Sequence, residues 1–192
     1  MKKKNIVIIA VVAIIALVIV AGIIFFVNGN KDSKTNLKIE SAEDLSNLVN
    51  EIYKGKEESL PKLNTQIVDV SDANVVKSVT GLENGDKLKY LVVSEPMMSS
   101  QAYSLVLAQV KDKSEANNIA KMMLDNIDTR KWICVSAEKV YATNSGDVVC
   151  LVMSNEEWAK PVYESFKSFA KTVGKEYTKE EEMQDLPDEL LY

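Results

Sequence analysis

Asn144-Ser145-Gly146-Asp147-Val148-Val149-Cys150-Leu151-Val152-Met153 is the stretch on which the fold turns. Four turn-forming residues lead into six apolar ones rich in valine, the pattern of a strand entered through a tight hairpin. Upstream, the segment from Trp132 or Val135 to Thr143 supplies the partner strand. Downstream, Asn155 is placed to cap a helix, and Trp158, Val162, Phe166 and Phe169 recur on one face of it as far as Val173, before Gly174. Pro161 lies too far inside to be a first-turn proline, so that helix is expected to begin near Lys160 or to kink there.

The same order occurs once earlier in the chain. Leu88 to Ser94 and Ala102 to Lys111 read as two strands joined by Glu95-Pro96-Met97-Met98-Ser99-Ser100. Ser114 or Asp112 then caps a helix with Ala116, Ile119, Ala120, Met123, Leu124 and Ile127 as its apolar stripe. Two ββα units in succession predict an α+β domain, an antiparallel sheet with helices packed on one face. Further upstream, Ser41-Ala42-Glu43-Asp44 resembles a capping box, and Leu45, Leu48, Val49 and Ile52 follow at helical spacing to about Lys54-Gly55. A loop with Pro61, an extended piece Gln66–Asp69 and a short helix from Asp72 to Thr80, stopped by Gly81, complete the expected elements.

These limits place the domain at residues 37–174, a length suited to one hydrophobic core. Residues 175–192 carry two lysines against seven acids and read as an acidic C-terminal tail exposed to solvent. Within the tail Leu186, Leu190 and Leu191 stand at helix-like spacing and could dock on this domain or on another protein.

At the other end, residues 1–5 form a short basic tail with Lys2, Lys3 and Lys4, followed by 22 residues, 6–27, without a charged side chain. At about 1.5 Å per residue they reach about 33 Å as a helix, enough to cross a hydrocarbon core, so the expectation is a single transmembrane helix. The run is longer than the apolar part of a secretory signal and lacks an Ala-x-Ala site near Val27, which favours an uncleaved signal-anchor. Lysine asymmetry puts the N-terminus in the cytoplasm and the C-terminal domain outside the cell membrane. Residues 28–36, polar throughout, read as a linker.

The stretch 72–169 resembles an uncharacterised family of small envelope proteins, a domain of unknown function found in low-GC Gram-positive bacteria. The residues that carry the resemblance are Val79-Thr80-Gly81-Leu82 before a strand ending Leu91-Val92-Val93-Ser94; Val106-Leu107-Ala108-Gln109-Val110-Lys111-Asp112 before a helix; and Lys139 to Val152 around the second hairpin. Similar members are often lipid-anchored, whereas here the first cysteine is Cys134 and the apolar segment takes that place. The resemblance implies an extracytoplasmic location and brings no activity with it.

Composition closes many routes to catalysis. There is no histidine, so triads, Cys-His pairs, imidazole-bound zinc and imidazole general bases are excluded, and two cysteines cannot build a four-thiolate centre. No cofactor or metal site is read from the sequence. Cys134 and Cys150 are kept as free core thiols or as a disulfide pair; a hairpin centred between Ser145 and Gly146 sets Cys150 opposite Tyr141, leaving Cys134 about seven residues further along. Ser-x-x-Lys occurs at Ser59/Lys62, Ser136/Lys139 and Ser168/Lys171, without the Ser-Asp-Asn and Lys-Thr-Gly motifs that accompany it in penicillin-recognising enzymes. Glu156 and Glu157 are adjacent acids whose place in a helix's first turn complements its dipole. A net charge of −5 and the lack of a glycine-rich phosphate loop argue against nucleic acid.

What remains points to a membrane-anchored extracytoplasmic binding or accessory module of the bacterial cell envelope, without catalysis. Its expected contacts are the membrane through residues 6–27 and an envelope protein partner through Met97 and Met98 at a hairpin tip, where insertion of at least one methionine into the core is the commoner outcome, or through Leu186, Leu190 and Leu191. The alternatives are a small-ligand sensor and a carboxylate- or thiol-dependent envelope enzyme. Oligomeric state is not legible.

Overall fold

The computed structural model describes residues 37–181. Helix α1 (Ala42–Tyr53) begins with the expected capping box: Ser41 Oγ accepts from Asp44 N at 3.2 Å, and Asp44 Oδ2 accepts from Ser41 N at 2.9 Å. Strand β1 (Leu63–Ile67) leads to α2 (Ala73–Thr80), whose N-cap Asp72 accepts from the Asn74 and Val75 amides. Gly81 ends α2 in the left-handed region, φ 75°. Strands β2 (Leu88–Pro96) and β3 (Ser104–Val110) form the first hairpin. A 3₁₀ turn (Lys113–Glu115), capped by Asp112, enters α3 (Ala116–Asn126). Strands β4 (Lys139–Ser145) and β5 (Val148–Ser154) form the second hairpin, followed by α4 (Glu156–Phe169) and β6 (Tyr177–Glu180).

All six strands make one sheet in the order β1-β2-β3-β5-β4-β6, each pair antiparallel. Period-two alternation sends Leu91, Val93, Val106, Ala108, Val149 and Leu151 to one face, where α2 and α3 cover them with Val76, Val79, Ile119, Ala120 and Met123. Val92, Leu105, Leu107, Val148, Cys150 and Val152 point to the other, beneath Leu45, Val49 and Ile52 of α1 and Ala159, Val162 and Phe166 of α4.

The expected α+β architecture is therefore corrected: helices cover both faces of the sheet, not one. Every residue of β3 and β5 is buried, which requires a helical layer on each side. The expected architecture also opened with a transmembrane helix. Among the described residues no helix is long and apolar enough to cross a membrane, and residues 6–27, on which that expectation fell, lie outside the described residues. The basic tail 1–5, the linker 28–36 and Leu186, Leu190 and Leu191 lie outside them too.

Three local readings also change. The strand placed from Trp132 or Val135 starts at Lys139, because residues 127–138 form a loop. Helix α4 starts directly after Asn155, whose Oδ1 accepts from Trp158 N at 2.9 Å, and it runs through Pro161. The proline withdraws the amide that would serve the Glu157 carbonyl, so the helix continues past it with one fewer intrahelical hydrogen bond. Finally, residues 177–180, assigned by composition to the acidic tail, pair with β4 as an edge strand. Tyr177 packs against the α2/α3 side of the core, and Tyr163 Oη donates to Glu176 Oε2 at 2.9 Å.

Candidate functional site

The β2–β3 hairpin carries the feature that the fold leaves uncovered. β2 ends at Pro96, and the chain beyond it projects Met97 and Met98 into solvent at 72% and 63% exposure. Both methionines stay out of the core. Ile133, from the loop after α3, is 66% exposed, and its backbone N–H donates to Ser99 O at 3.1 Å, which ties that loop to the residue following Met98. Two further contacts staple that loop to the hairpin: Lys131 pairs with Glu95, and Ser104 Oγ donates to the same Glu95 oxygen at 2.9 Å. The tip is thus a braced apolar surface, with three large side chains on two loops that hold each other.

A groove of about 420 Å³ continues from Met97 along the α2/α3 face of the sheet. Its floor is Val93 and Glu95 of β2 with the exposed Asn64 and Gln66 of β1, and Val75 and Val79 of α2 form its wall. A second, smaller cavity of about 220 Å³ lies between Leu37, Lys111 and the Ser145–Asp147 turn. Its Lys111 ammonium donates to Asp86 O at 2.7 Å, so this cation is held by the fold.

The sequence-level catalytic candidates separate. Cys150 is wholly buried in mid-sheet, and burial pushes its thiol well above the ordinary range; Cys134 is exposed in the loop after α3, with φ 60°. Both are free thiols, and the two are not brought together. The hairpin register puts Thr143, not Tyr141, opposite Cys150, since Gly146 and Asp147 alone make the turn.

Glu156 lies in the first turn of α4, and its carboxyl is held below the usual range chiefly by Lys160, 3.1 Å away, with Lys139 at 3.7 Å. A carboxylate so paired is a poor proton donor near neutral pH. Ser59 and Ser168 hydroxyls donate to the carbonyls of Lys56 and Ser165, while Lys139 pairs with Glu156 and Glu180, so none of the three Ser-x-x-Lys matches joins an activated serine to its lysine. Among the described residues no group of three or more carboxylate or thiol side chains could hold a metal ion.

Burial raises the hydroxyls of Tyr53 and Tyr103, which meet at 3.1 Å under α1, and that of Tyr163, where Glu176 adds to the effect. Each of these groups has a structural partner.

Comparison with protein-family models, with curated proteins and with solved structures gives no match to this chain. Sequence reading singled out Met97 and Met98 and missed Ile133 and the Glu95–Lys131 staple. The local signal is the apolar run Trp132-Ile133-Cys134-Val135 between polar residues, which its composition assigns to a strand.

Proposed function

We propose that this protein is a binding module of the cell envelope, tethered through its apolar segment 6–27 and recognising a partner protein with the braced end of its sheet. The observation that carries this reading is the exposure of Met97, Met98 and Ile133 on two loops joined by the Ile133–Ser99 backbone hydrogen bond. Methionine is unbranched and polarisable, so two at a tip can fit an apolar partner surface of irregular shape. The adjoining groove would receive a further apolar side chain between Val75 and Val93, with the Asn64 and Gln66 amides on its open side. The chemistry recognised is an exposed apolar segment of another envelope protein, and no reaction is assigned.

A photo-crosslinking residue placed at Met98 in the full chain, in cells, tests this. A discrete adduct at Met98 and at Ile133, absent at the exposed Lys121 on α3 and reduced at least tenfold when Met97 is changed to Ser, is the expected result. Equal labelling at Met98 and Lys121 would overturn the assignment.

A further inference from the structure

β1 ends the sheet on one side, and only half of its peptide groups are used. Met97 N donates to Lys62 O at 3.0 Å and Val68 N to Leu91 O at 2.9 Å, so the even-numbered residues from Lys62 to Val68 turn their peptide groups toward β2. Antiparallel alternation then directs the N–H and C=O groups of Leu63, Thr65 and Ile67 outward, and among the described residues these groups have no hydrogen-bond partner.

The opposite edge is built otherwise. β6 carries Lys179 and Glu180, a charged pattern that discourages edge-to-edge pairing. Between Leu63 and Ile67, β1 has no charge, no proline and no bulge.

We propose that β1 pairs antiparallel with β1 of a second copy of this chain, centred on Thr65. This goes beyond the recognition role of the hairpin tip: it uses none of Met97, Met98 and Ile133, although Asn64 and Gln66 also border the adjoining groove. The strand is self-complementary about that centre. Thr65 meets Thr65, and Leu63 meets the partner's Ile67, so that all the outward peptide groups bond to one another in the narrow pairs of an antiparallel ladder. On the α1/α4 face the half-buried Leu63 covers the partner's Ile67, which is 50% exposed in the single chain. On the other face Asn64 lies opposite the partner's Gln66, amide to amide, both exposed in the single chain.

Charge agrees with the same orientation. Lys62 precedes the strand and Asp69 follows it, so antiparallel pairing puts the lysine end of one copy at the aspartate end of the other, whereas parallel pairing would set lysine near lysine. A slip of one residue would face outward peptide groups with inward ones and move Ile67 away from Leu63. The result is one continuous sheet across a twofold axis.

Sedimentation of the full chain in detergent micelles, across a concentration series, tests the proposal. The protein mass is expected to rise from one copy to two. Thr65→Pro removes an amide that β2 does not use, together with the Thr65 Oγ1 hydrogen bond to Ser94 Oγ at 3.0 Å, so it is expected to keep the circular dichroism of the parent at a lower urea midpoint and to weaken dimerisation at least tenfold. Ile67→Lys, at a half-exposed position, provides a second variant with the same expected loss, should the proline disturb folding. In a Cys134→Ser background, Thr65→Cys is expected to oxidise to a covalent dimer, and Asn64→Cys to do so at less than a tenth of that yield. One-copy mass at every concentration up to the solubility limit, or a dimer that survives Ile67→Lys, would overturn the proposal.

Discussion

The backbone N–H of Ile133 donates to the carbonyl of Ser99 at 3.1 Å, joining the loop after α3 to the tip of a hairpin that precedes it by a whole helix. Glu95 secures the base of this junction through Lys131 and Ser104. Glu95→Ala leaves the Ser104 hydroxyl, on a fully buried residue, and the mostly covered Lys131 ammonium without their partner. The expected cost is about 2–3 kcal/mol, read as a lower urea midpoint at unchanged slope. Glu95→Gln keeps an acceptor and is expected to lose less than half as much. An unchanged midpoint for the alanine variant would show that the staple contributes nothing to stability.

Gly81 makes a second sharp demand. Its φ of 75° is left-handed, and a Cβ there would stand 2.5 Å from the carbonyl carbon of Asn126 and 2.6 Å from Ile127 N, both backbone atoms at the end of α3. Left-handed strain of about 1 kcal/mol and overpacking of about 1–3 kcal/mol both act on Gly81→Ala. The expected loss is therefore about 2–4 kcal/mol by denaturant unfolding, with α2 and α3 pushed apart. A loss below about 0.5 kcal/mol would mean that the two helices separate freely at this point.

How much of this was legible depends on what each signal is made of. Local chemistry read true: the Ser41 capping box, the Asp72 cap and Gly81 stop of α2, and the stripe from Ala116 to Ile127 are all where the residues put them. The two-faced burial of the sheet was also present, in six consecutive apolar residues from Val148 to Met153, since a strand covered on one side alternates. Counting ββα units hid that signal. β6 was obscured by composition: Tyr177-Thr178-Lys179-Glu180 is a strand only because β4 offers it an edge. At the tip, Pro96-Met97-Met98 marks the hairpin connection, but the exposure of both methionines departs from the expectation that at least one enters the core, and Ile133 joins the tip through a tertiary hydrogen bond with no counterpart in local sequence.

The thiols give a third test, with a sharp contrast built in. Cys150 is buried between α1 and α4 with its thiol pushed up by burial, so its reactive thiolate is scarce at neutral pH, while Cys134 is exposed. Under native, non-reducing conditions an alkylating reagent is expected to label Cys134 alone within minutes, and Cys150 only after denaturant is added. Failure of both to react until a reductant is present would reveal a disulfide and overturn the free-thiol assignment.

Alkaline pH provides the last test, and its sign follows from the direction of the shifts. Burial raises the hydroxyls of Tyr53, Tyr103 and Tyr163, and the Cys150 thiol, above their unfolded values. The folded state therefore binds protons that the unfolded chain releases, and this contribution to stability is full below the unfolded values, about 8.5 for cysteine and about 10 for tyrosine, and is lost as pH rises above them. The unfolding midpoint in urea is expected to fall steadily above about pH 10. Tyrosinate absorbance is expected in two phases: exposed residues titrate reversibly first, and Tyr53, Tyr103 and Tyr163 ionise only together with the loss of far-ultraviolet dichroism. Tyr163→Phe removes the Glu176 contact along with the ionisable group, so it lowers stability at neutral pH yet flattens the alkaline limb. Reversible ionisation of all the tyrosines in one phase, with the dichroism intact, would show that these hydroxyls are open to solvent in the folded protein.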